Sequence, residues 1–130
     1  MSSTLTVTNL TATNLTDGGG TTSTFANVNS GIAKAWMNYK GTATNTIRDS
    51  HNVSSVTDSG NGDYDMVFVS NMDNANYQFD MGTDTTANNL GFNRTATTGM
   101  AANEIRLLHY ENGSTADTAI YTASVTGDLA

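Results

Sequence analysis

From residue 31 onward the chain runs in short stretches of alternating apolar and polar residues, each stopped by Gly, Asn, Asp or Ser, and no window sustains a 3.6-residue apolar period. A chain patterned this way can bury one face of a strand but not one stripe of a helix. The alternation predicts strands over Ile32 to Tyr39, Asn45 to Val53, Tyr64 to Ser70, Asn76 to Met81, Glu104 to Tyr110 and Ala119 to Val125. Asp58-Ser-Gly-Asn-Gly-Asp63 and Asn112-Gly113 are the turn chemistry expected between paired strands. Residues Gly82 to Gly99 are polar around Leu90-Gly91-Phe92 and fit either another edge strand or an excursion. The expected fold is all-β, an antiparallel β-sandwich of jelly-roll-like type, and helical bundles and helical coiled coils are excluded.

Composition sets the size of the core. Leu, Ile, Val and Phe together number 22 of 130 residues, while 23 Thr, 16 Asn, 11 Ser and 12 Gly favour short strands and many turns. One core is possible, and a small one. Five basic residues against 12 acidic ones, for a net charge of -7, leave no basic footprint for nucleic acid or an anionic membrane surface. With no cysteine there is no disulfide, thiolate metal site or thiol chemistry. No stretch is long and apolar enough for a membrane span, and the first twenty residues lack the basic start and apolar block of a signal peptide, so a soluble product without a secretory address is expected.

The N-terminal segment reads differently from the rest. Leu5-Thr-Val-Thr-Asn is followed by Leu10-Thr-Ala-Thr-Asn and then Leu15-Thr16, a repeat too short for a solenoid but suited to an extended arm with one apolar edge. An isolated extended arm leaves backbone groups unpaired. Leu5, Val7, Leu10 and Leu15 are therefore the expected assembly or anchoring residues, the alternative being a threonine-rich strand whose repetition is accidental. Gly18, Gly19 and Gly20 form the expected hinge. The predicted division is residues 1-30 as arm and hinge and 31-130 as the sandwich domain.

Four groups of residues are candidates for chemistry. Asp58, Asn61, Asp63 and Asp65 put hard oxygen ligands close together beside glycines, a weak calcium candidate that lacks the terminal bidentate Glu of the twelve-residue calcium loop; a plain acidic hairpin is the simpler reading. His51 beside Asp49 and His109 beside Glu111 could each pair a base with an orienting carboxylate, yet no nucleophile elbow or metal-ligand spacing accompanies them, so no catalytic residue, cofactor or metal is assigned. The Asn-X-Ser/Thr matches at Asn9, Asn14, Asn52, Asn93 and Asn112 are what this composition produces by chance. Trp36, Tyr39, Tyr64, Phe68, Tyr77, Phe79, Tyr110 and Tyr121 are expected mostly in the core, with Trp36 buried near Ile47, Val67, Val69 and Leu107; an exposed aromatic platform for sugars is the alternative.

Lys34-Ala-Trp-Met-Asn-Tyr39, Gly41-Thr42, Ile47-Arg-Asp-Ser50, Asn52-Val-Ser-Ser55, Gly62-Asp-Tyr64 and Asp73-Asn-Ala-Asn-Tyr77 follow one another in a single register. Together they resemble a β-rich domain recurrent in virion proteins of marine tailed bacteriophages, especially at the ends of tail fibres. The similarity is densest over residues 34 to 80 and weakens to Glu104-Ile-Arg106 and the Asn112-Gly-Ser-Thr-Ala-Asp117 turn. The resemblance implies a non-enzymatic virion structural protein, made in the host cytoplasm and exposed on capsid or tail. Fibres of this family carry the domain on much longer chains, so a short spike, knob or decoration protein is the expected form. A receptor- or glycan-binding tip, touching a host surface through loops such as Asp58 to Asp63 and Asn112 to Asp117, is the alternative. Trimeric association follows from the same resemblance, and the expected partners are other copies and other virion proteins.

Overall fold

A computed structural model describes residues 14–16, 20, 22–24, 28–29, 31–84 and 91–130, with backbone only for residues 15, 23 and 91–98. Eleven strands are present among the described residues: β1 (Asn14–Thr16), β2 (Thr22–Thr24), β3 (Ala33–Lys40), β4 (Thr46–His51), β5 (Val53–Gly60), β6 (Asp63–Phe68), β7 (Gln78–Thr83), β8 (Gly91–Ala101), β9 (Glu104–Glu111), β10 (Ser114–Thr115) and β11 (Tyr121–Thr126). Among the described residues the protein is all-β with almost no helix, as the alternation predicts. One antiparallel sheet has the order β4-β3-β11-β7; the other runs β10-β9-β6-β5, with β8 also paired to β9.

The two sheets meet through their inner faces. Ala35, Met37 and Tyr39 from β3 and Tyr121, Ala123 and Val125 from β11 pack on Tyr64, Met66 and Phe68 from β6 and Ile105 and Leu107 from β9. Tyr64 stands at the centre, edge-on to Tyr39 at 5.1 Å and to Tyr121 at 5.3 Å, both rings coming from the opposite sheet. Three tyrosines fill a volume that the few aliphatic residues would leave open, and the edge-to-face geometry suits their quadrupoles. Two antiparallel sheets around one core make a sandwich-like arrangement.

Particular residues turn the chain between and within the sheets. Asn52, at φ 54°, sits where β4 of one sheet passes into β5 of the other, so the predicted strand from Asn45 to Val53 is broken at a corner. Its side chain holds that corner, donating to Ser70 O at 3.0 Å and accepting from Ser70 N at 2.7 Å. Asn112 and Gly113, at φ 49° and 83°, join β9 to β10 as a two-residue turn with both central residues left-handed, as the Asn-Gly pair predicts. Gly62, at φ 64°, lies in the predicted β5–β6 hairpin, and a Cβ there would stand 2.4 Å from Ala116 O, so no side chain fits. Of the undecided stretch from 82 to 99, residues from Gly91 onward belong to β8, an edge strand beside β9.

The expected core needs correction at three positions, Trp36, Val67 and Val69. Trp36 is 36% exposed and Val69 is 66% exposed, whereas Leu107 is fully buried and Ile47 packs against the core edge. Strand parity is the reason. On β3 the inward set is Ala35, Met37 and Tyr39, so Trp36 must face outward, and Trp36 and Tyr39 cannot share a face of one regular strand. On β6 the inward set is Tyr64, Met66 and Phe68, leaving Val67 half-buried on the other face and Val69 beyond the strand end. Tyr39, Tyr64, Phe68, Tyr77 and Tyr121 are buried as expected, Phe79 packs partly against them, and Tyr110 is half-buried.

Before Ala33, β1 and β2 pair with each other in register Asn14↔Thr24 to Thr16↔Thr22, and with no other strand among the described residues. The chain therefore reverses between Thr16 and Thr22, where Gly20 takes φ 83°. Leu5, Val7, Leu10, Gly18 and Gly19 lie outside the described residues, and of Leu15 only the backbone is described, opposite Ser23.

Candidate functional site

Trp36 leads to the outer face of the four-stranded sheet. Because antiparallel partners directly opposite point to the same side, the registers build two rows across this face. His51, Trp36, Ser124 and Asp80 form one row; Asp49, Asn38, Thr122 and Gly82 form the next. The middle of the face carries only small side chains, so the surface sinks between the indole on β3 and the carboxylate on β7. The resulting groove has a volume of about 380 Å³ and is lined by Trp36, Asn38, Asp80, Gly82, Thr122 and Ser124, with the backbone of their neighbours beneath. Trp36 and Asp80 are two interstrand spacings apart, roughly 10 Å.

Local packing holds this relief in place. Thr122 Oγ1 donates to Gly82 O at 3.2 Å, and a Cβ on Gly82 would stand 2.7 Å from that oxygen, so a larger residue at 82 would displace Thr122. Arg48 Nη1 donates to Asn38 Oδ1 at 3.4 Å and brings a positive charge to the groove's β4 side. The face thus combines one exposed indole, amide, hydroxyl and carboxylate groups, and one guanidinium at the rim. Such a set can stack a flat apolar surface while accepting and donating hydrogen bonds around it.

The second polar cluster ties the end of the sandwich together. Asp117 accepts hydrogen bonds from Tyr64 OH at 2.6 Å and from Gly62 N at 2.7 Å, and its own N–H donates to Asn61 Oδ1 at 3.0 Å. Burial first, and then the Asp117 carboxylate, raise the Tyr64 phenol well above its ordinary range, so it remains a donor. Asp84, at the end of β7, accepts from Thr118 Oγ1 and from Ile120 N, which holds its carboxyl below the usual carboxylate range, with Thr118 the largest cause. These acids fasten the segment before β11 onto both sheets.

The residues singled out in the sequence separate into unlike surroundings. Asp63 forms a two-point pair with Arg106, at 2.8 and 2.5 Å. Asp65 accepts from Ser59 Oγ at 2.7 Å, Asp58 accepts from Asn45 and from Gly60 N, and Asn61 donates to Thr115 O at 2.6 Å. The four calcium candidates are each tied to different neighbours, and among the described residues no group of three His, Cys, Asp or Glu could hold a metal ion. His51 is exposed on the outer face beside Trp36. His109 is fully buried, with Nδ1 2.8 Å from Ala116 O. A carbonyl only accepts, so Nδ1 carries the proton, and Nε2 has no partner among the described residues. The imidazole is packed edge-on to Tyr121 rather than open to a substrate.

Sequence reasoning missed Asp80, Thr122, Ser124 and Gly82 because they come from strands far apart in the chain and meet only through the β3-β11-β7 pairing. The usable signal was parity: once Tyr39 is placed inward, Trp36 must face outward. No family model matches the chain, and no curated protein or solved structure matches it either.

Proposed function

We propose that this chain is a non-enzymatic surface component of a tailed-bacteriophage virion, a short spike, knob, decoration or fibre piece on capsid or tail. The observation that supports it most is the work done by the residues behind the resemblance. Gly41 lies so close to Tyr64 that a Cβ would stand 2.2 Å from its hydroxyl. Tyr64 bonds Asp117, Asn52 clamps Ser70, Arg106 pairs with Asp63, and Tyr77 OH donates to the carbonyls of Ala101 and Glu104 at 3.1 and 2.9 Å. The matching motifs thus supply joints of the two-sheet body, which is what a likeness between structural domains requires and a likeness between active sites does not.

In this reading the segment before residue 31 anchors the body, and copies associate as a homotrimer through Leu5, Val7, Leu10 and Leu15. The jelly-roll part of the expected fold is dropped, because the hairpins β3–β4, β5–β6 and β8–β9 each stay inside one sheet. Mass spectrometry of gradient-purified phage particles tests the assignment, with the chain expected at many copies per particle. Its absence from particles that infect normally overturns it. Deleting residues 1 to 20 should reduce both solution mass and particle incorporation; full assembly without them removes the arm from the proposal.

The second reading, a tip that binds host glycans, is favoured by one observation, the outward Trp36 in its polar groove. The loops first considered for that role are engaged within the protein, since Asp58, Asn61, Asp63 and Asp117 all hold neighbours.

A further inference from the structure

We propose that the groove between Trp36 and Asp80 binds one pyranose unit of an uncharged glycan, with the sugar's apolar face on the indole and its hydroxyls on Asp80, Asn38, Thr122 and Ser124. The inference rests on the glycan-tip reading and gives that reading a site.

Trp36 is the only tryptophan in the chain and sits on the face of the sheet turned away from the core. Its neighbours across the sheet are Ser124 and then Asp80, and in the adjacent row Asn38, Thr122 and Gly82. A pyranose has one face of C–H groups and a rim of hydroxyls. An indole offers a flat, electron-rich surface to the first, and carboxylate, amide and hydroxyl groups offer paired acceptors and donors to the second. A volume of about 380 Å³ lies at the small end of the range for ligand sites and suits one or two sugar rings. Two rows of side chains roughly 10 Å across leave the ends open, so a chain could run past the bound unit.

Charge selects among glycans. Asp80 lines the groove, Asp49 lies in the second row, and the chain carries a net charge of -7, against the single guanidinium of Arg48 at the rim. A sulfated or carboxylated sugar would meet repulsion, and an uncharged one would not. Gly82 keeps the floor low, and the Thr122 hydroxyl is held in the groove by Gly82 O. The sheet supplies the geometry, so little of the site must be ordered on binding.

Because Trp36 is the sole tryptophan, its fluorescence reports on the groove. The full-length protein is titrated with methyl glucoside, methyl galactoside, methyl mannoside, N-acetylglucosamine and their short neutral oligomers, and is also applied to a glycan array. Expected is saturable movement of Trp36 emission and protection from acrylamide by at least one neutral sugar, with a dissociation constant of order 1 mM for a monosaccharide held by one ring and a few hydrogen bonds. By calorimetry Trp36→Ala and Asp80→Ala should each weaken that binding at least tenfold, with circular dichroism checking that the variants stay folded. Array binding that persists unchanged in Trp36→Ala overturns the groove and leaves the tip reading standing. No binding of any glycan by the wild type overturns both. Preferential binding of a sulfated oligosaccharide, or an emission shift produced by protein concentration alone, also overturns the proposal, the last by showing a second copy in the groove.

Discussion

Tyr64→Phe and Tyr121→Phe make the same chemical change in one aromatic cluster and should have opposite effects. Both rings are fully buried and stand 5.3 Å apart. The Tyr64 hydroxyl donates to Asp117 at 2.6 Å, whereas the Tyr121 hydroxyl is buried without a partner among the described residues. A hydrogen bond to a charged group contributes about 1.5 to 3 kcal/mol net, so Tyr64→Phe should cost about 2 kcal/mol. Burying an unpaired hydroxyl itself costs about 1 to 3 kcal/mol, and removing it from Tyr121 should stabilise the fold by about 1 kcal/mol after the small void is counted. For a domain of this size each kcal/mol moves the melting temperature by roughly 4 °C, giving a fall of about 8 °C for the first variant and a rise of about 4 °C for the second. Urea unfolding followed by circular dichroism gives both differences, and a double-mutant cycle with Asp117→Asn isolates the Tyr64 contribution. Equal losses in the two variants, or a coupling energy near zero between positions 64 and 117, would refute the assignment of that hydrogen bond as the source of the difference.

Three further outcomes follow from the packing and the ionisable groups. Gly41→Ala should cost about 2 to 3 kcal/mol by forcing the Tyr64 hydroxyl and ring away from the new Cβ, checked by the same unfolding assay. Trp36→Ala should cost only about 1 kcal/mol, because the indole lies on the outer face, while Tyr121→Ala should cost about 3 to 5 kcal/mol; comparable losses would place Trp36 in the core after all. Burial pushes the Tyr77 phenol up to about 12, and Tyr39, Tyr64 and Tyr121 are also raised above the ordinary value of 10. Stability from these neutral phenols is therefore complete below pH 10 and lost as pH rises through 12 and beyond. Tyrosinate absorbance should appear together with unfolding, and a full titration at pH 11 in a folded protein would contradict it.

Strand character was readable from the chain because it is set locally: alternation of period two, β-branched threonines and left-handed turn residues act within a few positions. The Asp58 to Asp63 hairpin and the Asn112-Gly113 turn were visible for that reason, as was the burial of Tyr39, Tyr64 and Leu107. Residue type alone misplaced Trp36, Val67 and Val69. A tryptophan is apolar enough for the core, yet period two allows only one parity inside, and β3 puts Ala35, Met37 and Tyr39 there. Only the fold decides which parity faces inward, because that depends on the opposite sheet supplying Tyr64 to pack against Tyr39 and Tyr121. The groove is likewise a product of tertiary structure. Trp36, Asp80 and Ser124 are scattered over the chain, and they form one surface because β11 inserts between β3 and β7. Local preference thus determined that this chain forms strands and where many of them turn; long-range pairing decided the sheet order, the buried face and the place where an indole meets a carboxylate.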